Sequence, residues 1–110
     1  MALAKYVHEL IRDFPKEERF GLYSQISRTS VSVPSNIAEG SSRRGATDFA
    51  HFLGIARGAL AELDTQLELD HAYGYLSYTE EARVGIESLA RQINAFVRKL
   101  TSETTKPPSL

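Results

Sequence analysis

Two short patterns place a carboxylate three residues before a histidine, Asp48-Phe49-Ala50-His51 and Glu68-Leu69-Asp70-His71. Each has the form of half of a di-iron carboxylate bundle, in which facing helices project Glu-x-x-His pairs inward beside two further carboxylates. Both fall within one long helical pattern, 20 residues apart, which is about 30 Å along a helix axis. They cannot share one intrachain centre. No histidine follows His71, so a facing helix has no partner motif to offer, and both pairs are read as solvated surface groups with no metal assigned.

Gly40-Ser41-Ser42-Arg43-Arg44-Gly45 has the glycine spacing of a phosphate loop, but Ala46-Thr47 follows where a lysine is required, and no strand precedes it. Nucleotide hydrolysis by such a loop is excluded. What remains is a pair of adjacent cations, Arg43 and Arg44, beside the amide-rich start of the next helix. They form a candidate contact for a phosphate or a nucleic-acid backbone, weighed against a plain solvated turn. No paired carboxylates, serine–histidine arrangement or dinucleotide fingerprint supports catalysis. The chain is therefore expected not to be an enzyme, with no catalytic residue and no cofactor. With no cysteine in the sequence, disulfides, thiol chemistry and cysteine-held zinc are excluded.

The elements that position these residues are read from apolar spacing. Leu3, Tyr6, Val7, Leu10, Ile11 and Phe14 recur at three and four, one stripe of a short first helix that Pro15 ends. The acidic Glu17 and Glu18 suit a first turn, and Leu22, Ile26, Val33 and Ile37 predict a second helix to about Gly40. Pro34 must kink or divide it, at a cost of about 3 kcal/mol unless hydroxyls such as those of Ser30 and Ser32 compensate.

Phe49, Phe52, Leu53, Ala56, Leu60, Leu63 and Leu67 predict a third helix from about Ala46 to Tyr73. Gly74 can take the left-handed conformation that stops it, with Tyr75 packing back. Ser77-Tyr78-Thr79-Glu80 matches a capping box, so the fourth helix should start there, with Ala82, Ile86, Leu89, Ile93, Phe96 and Leu100 inward. After Leu100 periodicity is lost. Residues 1–100 thus form one four-helix unit, and 101–110, with two prolines and many polar residues, are expected to be a disordered tail.

Short links favour an all-α, antiparallel up-down bundle. Its short first helix leaves apolar interior uncovered, and another copy of the chain is the simplest cover. Ala46, Ala50, Gly54 and Gly58 fall four apart, a nearly bare ridge. A hairpin turning near Arg44 sets Pro34 level with Gly54 and Ser30 level with Gly58, so that Gly54 is expected to accommodate the Pro34 kink through close packing; the plainer reading is that the glycines are surface residues. The same register brings Arg28 near Glu62 and Arg57 near Ser32. With Asn36 and Glu39 these make a candidate polar network, structural or lining a small-ligand pocket, against arginine heads that simply lie in water.

Among 110 residues, 13 basic and 14 acidic side chains give a formal charge of −1. Neither a general nucleic-acid binder nor an anionic-membrane binder is indicated, although local patches remain open. No apolar run reaches membrane-spanning length and no signal-peptide plan opens the chain, so a cytoplasmic protein with no membrane partner is expected.

Phe14-Pro15-Lys16-Glu17-Glu18-Arg19-Phe20-Gly21-Leu22, Ser32-Val33-Pro34-Ser35-Asn36-Ile37-Ala38-Glu39-Gly40, Ile55-Ala56-Arg57-Gly58 and Leu60-Ala61-Glu62-Leu63 together resemble the four-helix bundle family of 23S ribosomal RNA intervening-sequence proteins. The likeness covers roughly Leu3 to Leu100. It implies an up-down bundle assembled as a homopentameric ring in bacteria. It also implies a fold similar to the accessory variability protein of diversity-generating retroelements, a basic pentamer that binds nucleic acid and a reverse transcriptase. Gly45-Ala46-Thr47-Asp48 departs from the family's Ser-x-x-Glu, Thr29 stands where a second arginine is common, and the first helix reads as shortened. The expected role is a homo-oligomeric scaffold or adaptor contacting RNA or a protein partner through Arg43 and Arg44. The alternative is a ligand-binding protein or enzyme using a pocket around Arg28, Arg57, Glu39 and Glu62.

Overall fold

The computed structural model describes residues 2–12 and 19–105. Among them are four α-helices and no strand: α1 Ala2–Ile11, α2 Ser24–Ser41, α3 Ala46–Ala72 and α4 Glu80–Thr105. A π-helical segment, Arg19–Tyr23, leads into α2. The expected stop at Pro15 and the acidic turn at Glu17 and Glu18 lie outside the described residues.

The inward stripes follow the predicted spacing except at Tyr6 and Phe96, which are exposed. Val7 and Ile11 of α1, Ile26 and Val33 of α2, Leu53, Ala56, Leu60, Leu63 and Leu67 of α3, and Ala82, Ile86 and Ile93 of α4 are all buried in one core. Burying each large aliphatic side chain is worth about 1.5–3 kcal/mol. α1 packs on α2, α2 on α3 and α3 on α4. The α3–α4 contacts pair low numbers with high: Phe49 meets Phe96 with ring centroids 5.2 Å apart, Arg57 bonds Asn94 at 3.0 Å, and Glu68 pairs with Arg83.

α2 is not divided at Pro34. Local side-chain bonds brace the surrounding turns: Thr29 Oγ1 donates to the Gln25 carbonyl, Ser30 Oγ to the Ser27 carbonyl, and Asn36 Nδ2 to the Ser32 carbonyl, each at 2.8 Å. Neither the Ser30 nor the Ser32 hydroxyl is bonded to the carbonyl that Pro34 leaves without its usual amide.

The close helix approach expected at Gly54 and Gly58 is found at Gly40 instead. A Cβ built at Gly54 or Gly58 meets nothing within 4 Å, whereas one at Gly40 falls 2.7 Å from Phe52 Cβ and 3.0 Å from Phe49 Cδ1. The reason is geometric. At about 100° per residue, a row spaced by four drifts some 40° at each step, so the ridge from Ala46 to Gly58 winds away from the core stripe of Phe49, Leu53, Ala56 and Leu60.

The end of α3 follows expectation. Gly74 has φ 81°, its amide donates to the His71 carbonyl at 3.0 Å, and the Tyr75 amide donates to the Asp70 carbonyl at 2.9 Å, the two bonds of a Schellman turn. The start of α4 does not. Thr79, rather than Ser77, caps it, its Oγ1 accepting from the Ala82 amide at 3.1 Å. Tyr78, buried at 2 % exposure, draws the chain into the core ahead of the helix and so delays its first turn. α4 also runs to Thr105, beyond the loss of apolar periodicity at Leu100.

Candidate functional site

The turn between α2 and α3 is built by its own small residues. The Ser42 amide reaches the Ala38 and Glu39 carbonyls, the Arg43 amide reaches the Gly40 carbonyl at 3.1 Å, and Gly45, at φ 145°, turns the chain into α3. The hydroxyls of Ser41 and Ser42 donate to the Ala38 and Glu39 carbonyls at 2.8 Å. These hydroxyls close the last turn of α2 and are not offered outward.

Of the two candidate cations, Arg43 is engaged. It forms an ion pair with Glu39 one turn back, and its guanidinium lies 5.0 Å from the centre of the Phe52 ring. Both partners are about half exposed, so the pair contributes at most about 1 kcal/mol. Arg44 is exposed and makes no ion pair among the described residues. The positive charge this turn presents to a ligand is therefore chiefly that of Arg44.

The five residues of the candidate polar network are not brought together. Glu39 pairs with Arg43, Asn36 bonds Ser32, Glu62 accepts from Gln66 Nε2 at 3.2 Å, and Arg57 Nη1 donates to Asn94 Oδ1 at 3.0 Å. Arg28 is exposed. Arg57 sits on the side of α3 that meets α4, not on the side that meets α2, which is why it reaches Asn94 and not Ser32.

Two cavities among the described residues are largely apolar. A groove of about 490 Å³ runs between Leu3 and Tyr6 of α1 and Ala82, Gly85, Ile86 and Leu89 of α4, with Glu81 at its edge. A smaller one of about 220 Å³ continues past the shared Leu89 to Ile37, Phe49, Ile93 and Phe96. Together they form an apolar seam along α4 among the described residues. A Cβ built at Gly85 on its wall meets nothing within 4 Å.

A cluster that the motif reading missed clasps α3 to α4. The Tyr78 hydroxyl donates to Asp64 Oδ1 at 2.7 Å, and the Tyr78 amide donates to His71 Nδ1 at 3.0 Å. Arg83 lies 4.7 Å from the centre of the Tyr78 ring and is paired with Glu68 and Glu80. Burial, reinforced by the neighbouring Asp64 carboxylate, pushes the Tyr78 hydroxyl well above the usual phenol range. His71 is exposed, and its Nδ1 also accepts from the Tyr78 amide at the α3–α4 link. No group of three or more histidine, aspartate or glutamate side chains is arranged to hold a metal among the described residues, and no helix there is long and apolar enough to cross a membrane.

The family model described as 23S rRNA-intervening sequence protein matches residues 1–101. No curated protein matches the chain.

Proposed function

The chain belongs to the 23S rRNA-intervening sequence protein family, and we propose that it is a non-enzymatic, homo-oligomeric helical scaffold of the cytoplasm that contacts RNA through arginines. The observation that carries this reading is the open apolar seam along α4, from Leu3, Tyr6 and Gly85 to Leu89 and Phe96. Exposed contiguous apolar surface of this kind is what a soluble chain covers with a partner. Helices running up and down, which the descending residue pairs between α3 and α4 support, leave that seam on one side of each copy. One copy's seam against a different face of the next is a heterologous contact, which closes into a ring when the rotation fits.

RNA contact at the α2–α3 turn falls to Arg44, with Arg43 available if Glu39 releases it. Repetition around a ring multiplies a modest patch by avidity. A ligand pocket around Arg28, Arg57, Glu39 and Glu62 has no support, since Arg28 is exposed and the other three are held by separate partners.

The test is Gly85→Arg. In a single copy the new side chain meets no obstacle at its Cβ, and helix propensity favours it by up to about 1 kcal/mol, but it fills the groove with a charge. Sedimentation should show an oligomer for the wild type and a folded, helical monomer for Gly85→Arg. A monomeric wild type, or an oligomer unchanged by Gly85→Arg, refutes assembly through this seam.

A further inference from the structure

Although the charge of the whole chain is −1, the α3–α4 pair gathers more of its acidic residues near the link between the two helices than at the other end. Near the link lie Asp64, Glu68, Asp70, Glu80 and Glu81, with Arg83 tied in by its pairs to Glu68 and Glu80, while Glu62 and Glu87 stand nearer the middle. Toward the other end stand Arg57, Arg91, Arg98 and Lys99, with Asp48 as the acidic residue of the first turn of α3. Residues 91, 94 and 98 follow the three-four spacing of one helix face, and Asn94 at its middle receives the Arg57 guanidinium at 3.0 Å. Three arginines therefore flank one half-buried asparagine, with Arg91 and Arg98 two turns apart, about 10 Å along α4.

All three are exposed, and none forms an ion pair among the described residues. Glu87 shares the α4 face one turn before Arg91 and makes no ion pair with it. On the adjoining strip of α3, Gly54 and Gly58 have open space where a Cβ would stand, with the exposed Glu62 one turn beyond.

We propose that this face of α3 and α4, with Arg57, Arg91 and Arg98, binds the phosphodiester backbone of a nucleic acid. The inference rests on the RNA-contact reading above and assigns the contact to a second surface, apart from the α2–α3 turn. The chemistry favours phosphate over an acidic protein. Guanidinium forks match phosphate oxygens, and the set contains no lysine. Protein partners need apolar anchors at the centre of their footprint, whereas the exposed apolar side chains nearest in sequence, Ile55 and Phe96, point to other sides of their helices. A row of cations on a straight helix, without an apolar centre, suits a charged polymer lying along it.

The experiment is fluorescence anisotropy of a labelled oligouridylate titrated with the full chain across a salt series. Three variants are compared: Arg57→Gln/Arg91→Gln/Arg98→Gln; Arg91→Gln/Arg98→Gln, which spares the Arg57–Asn94 bond; and Arg43→Gln/Arg44→Gln. Each phosphate contact on a single strand contributes about 0.7 to the slope of log affinity against log salt. The triple variant should lose about 2 from that slope and about 100-fold in affinity near 0.1 M salt, and the double variant about 1.4 and about 25-fold. Wild-type affinity and slope in both variants overturn the assignment to this face. If Arg43→Gln/Arg44→Gln alone then loses binding, the turn reading stands while this one falls. A wild type without salt-sensitive binding overturns both readings. Polyglutamate competing as well as RNA overturns the phosphate assignment.

Discussion

Gly40 and Gly54 sit on facing helices, and the structure gives them opposite responses to the same added methyl group. At Gly40 an alanine Cβ falls 2.7 Å from Phe52 Cβ, 3.0 Å from Phe49 Cδ1 and 3.4 Å from the Phe49 carbonyl oxygen. Carbons in contact rest at about 3.5–4.0 Å, and Phe52 Cβ is fixed to its backbone, so α2 and α3 must part by roughly 1 Å there. Overpacking of this kind costs about 1–3 kcal/mol. Alanine's advantage over glycine is at most about 1 kcal/mol in a helix interior and less near a frayed end, and Gly40 is next to last in α2. Gly40→Ala should therefore destabilise by about 1–2 kcal/mol. Gly54→Ala meets nothing within 4 Å and should stabilise by up to about 1 kcal/mol. At about 4 °C per kcal/mol for a chain of this size, the two melting temperatures should differ by about 4–12 °C. Thermal unfolding followed by circular dichroism, in the Gly85→Arg background so that assembly does not enter, reads the difference. Equal shifts, or a Gly40→Ala variant more stable than the parent, would refute the close approach of α2 to α3 at Gly40.

Tyr78→Phe should cost about 1 kcal/mol by removing the bond to Asp64, and it should also change the alkaline limb of stability. The folded state holds the Tyr78 hydroxyl protonated above its ordinary range, so its contribution is complete below about pH 10 and is lost as pH rises through the range where the unfolded chain ionises. Urea unfolding from pH 8 to pH 11 should show the parent losing more stability than Tyr78→Phe; parallel curves would remove Tyr78 as the cause. Thr79→Ala should destabilise by about 1 kcal/mol as a lost helix cap, with Ser77→Ala within about 0.5 kcal/mol of the parent. The reverse order in the same assay would restore Ser77 as the cap.

Much of the fold was legible because helical periodicity is a property of a segment and needs no partner. The range of α3 follows from one uninterrupted stripe and a glycine whose positive φ was anticipated, and the core residues of α4 from the same spacing. What escaped depends on how two segments meet. Ser77 and Thr79 both precede a turn that a hydroxyl can cap, and only the burial of Tyr78 between them decides in favour of Thr79. The small-residue ridge of α3 was visible, but its drift around the helix, which leaves Gly54 and Gly58 facing open space, becomes decisive only once Gly40 fixes the register. Arg57 has the same problem in another form: its neighbour in the sequence pattern was α2, and its neighbour in space is α4. Arg43 and Arg44 read alike as adjacent cations, yet Glu39 and Phe52 engage one and leave the other exposed.

The two surfaces proposed for α4 are compatible because they occupy different sides of it. Gly85, Leu89, Gln92 and Phe96 line the apolar seam, while Arg91, Asn94 and Arg98 carry the basic face. At about 100° per residue these sets lie roughly 150° apart around the helix, so a neighbouring copy seated in the seam leaves the arginines in water. The separation also has an electrostatic use. Along α4, Glu80 and Glu81 stand about 15 Å or more from Arg91 and Arg98, beyond the Debye length of about 8–10 Å at moderate salt, whereas Glu87, one turn from Arg91, lies within it and offsets part of that charge. Net charge, the quantity that argues against nucleic-acid binding when the sequence is taken whole, therefore says little about this face. Assembly and anion binding should accordingly be separable by mutation: Gly85→Arg lowers avidity but keeps the salt slope per protomer, whereas the arginine variants lower the slope and keep the oligomer.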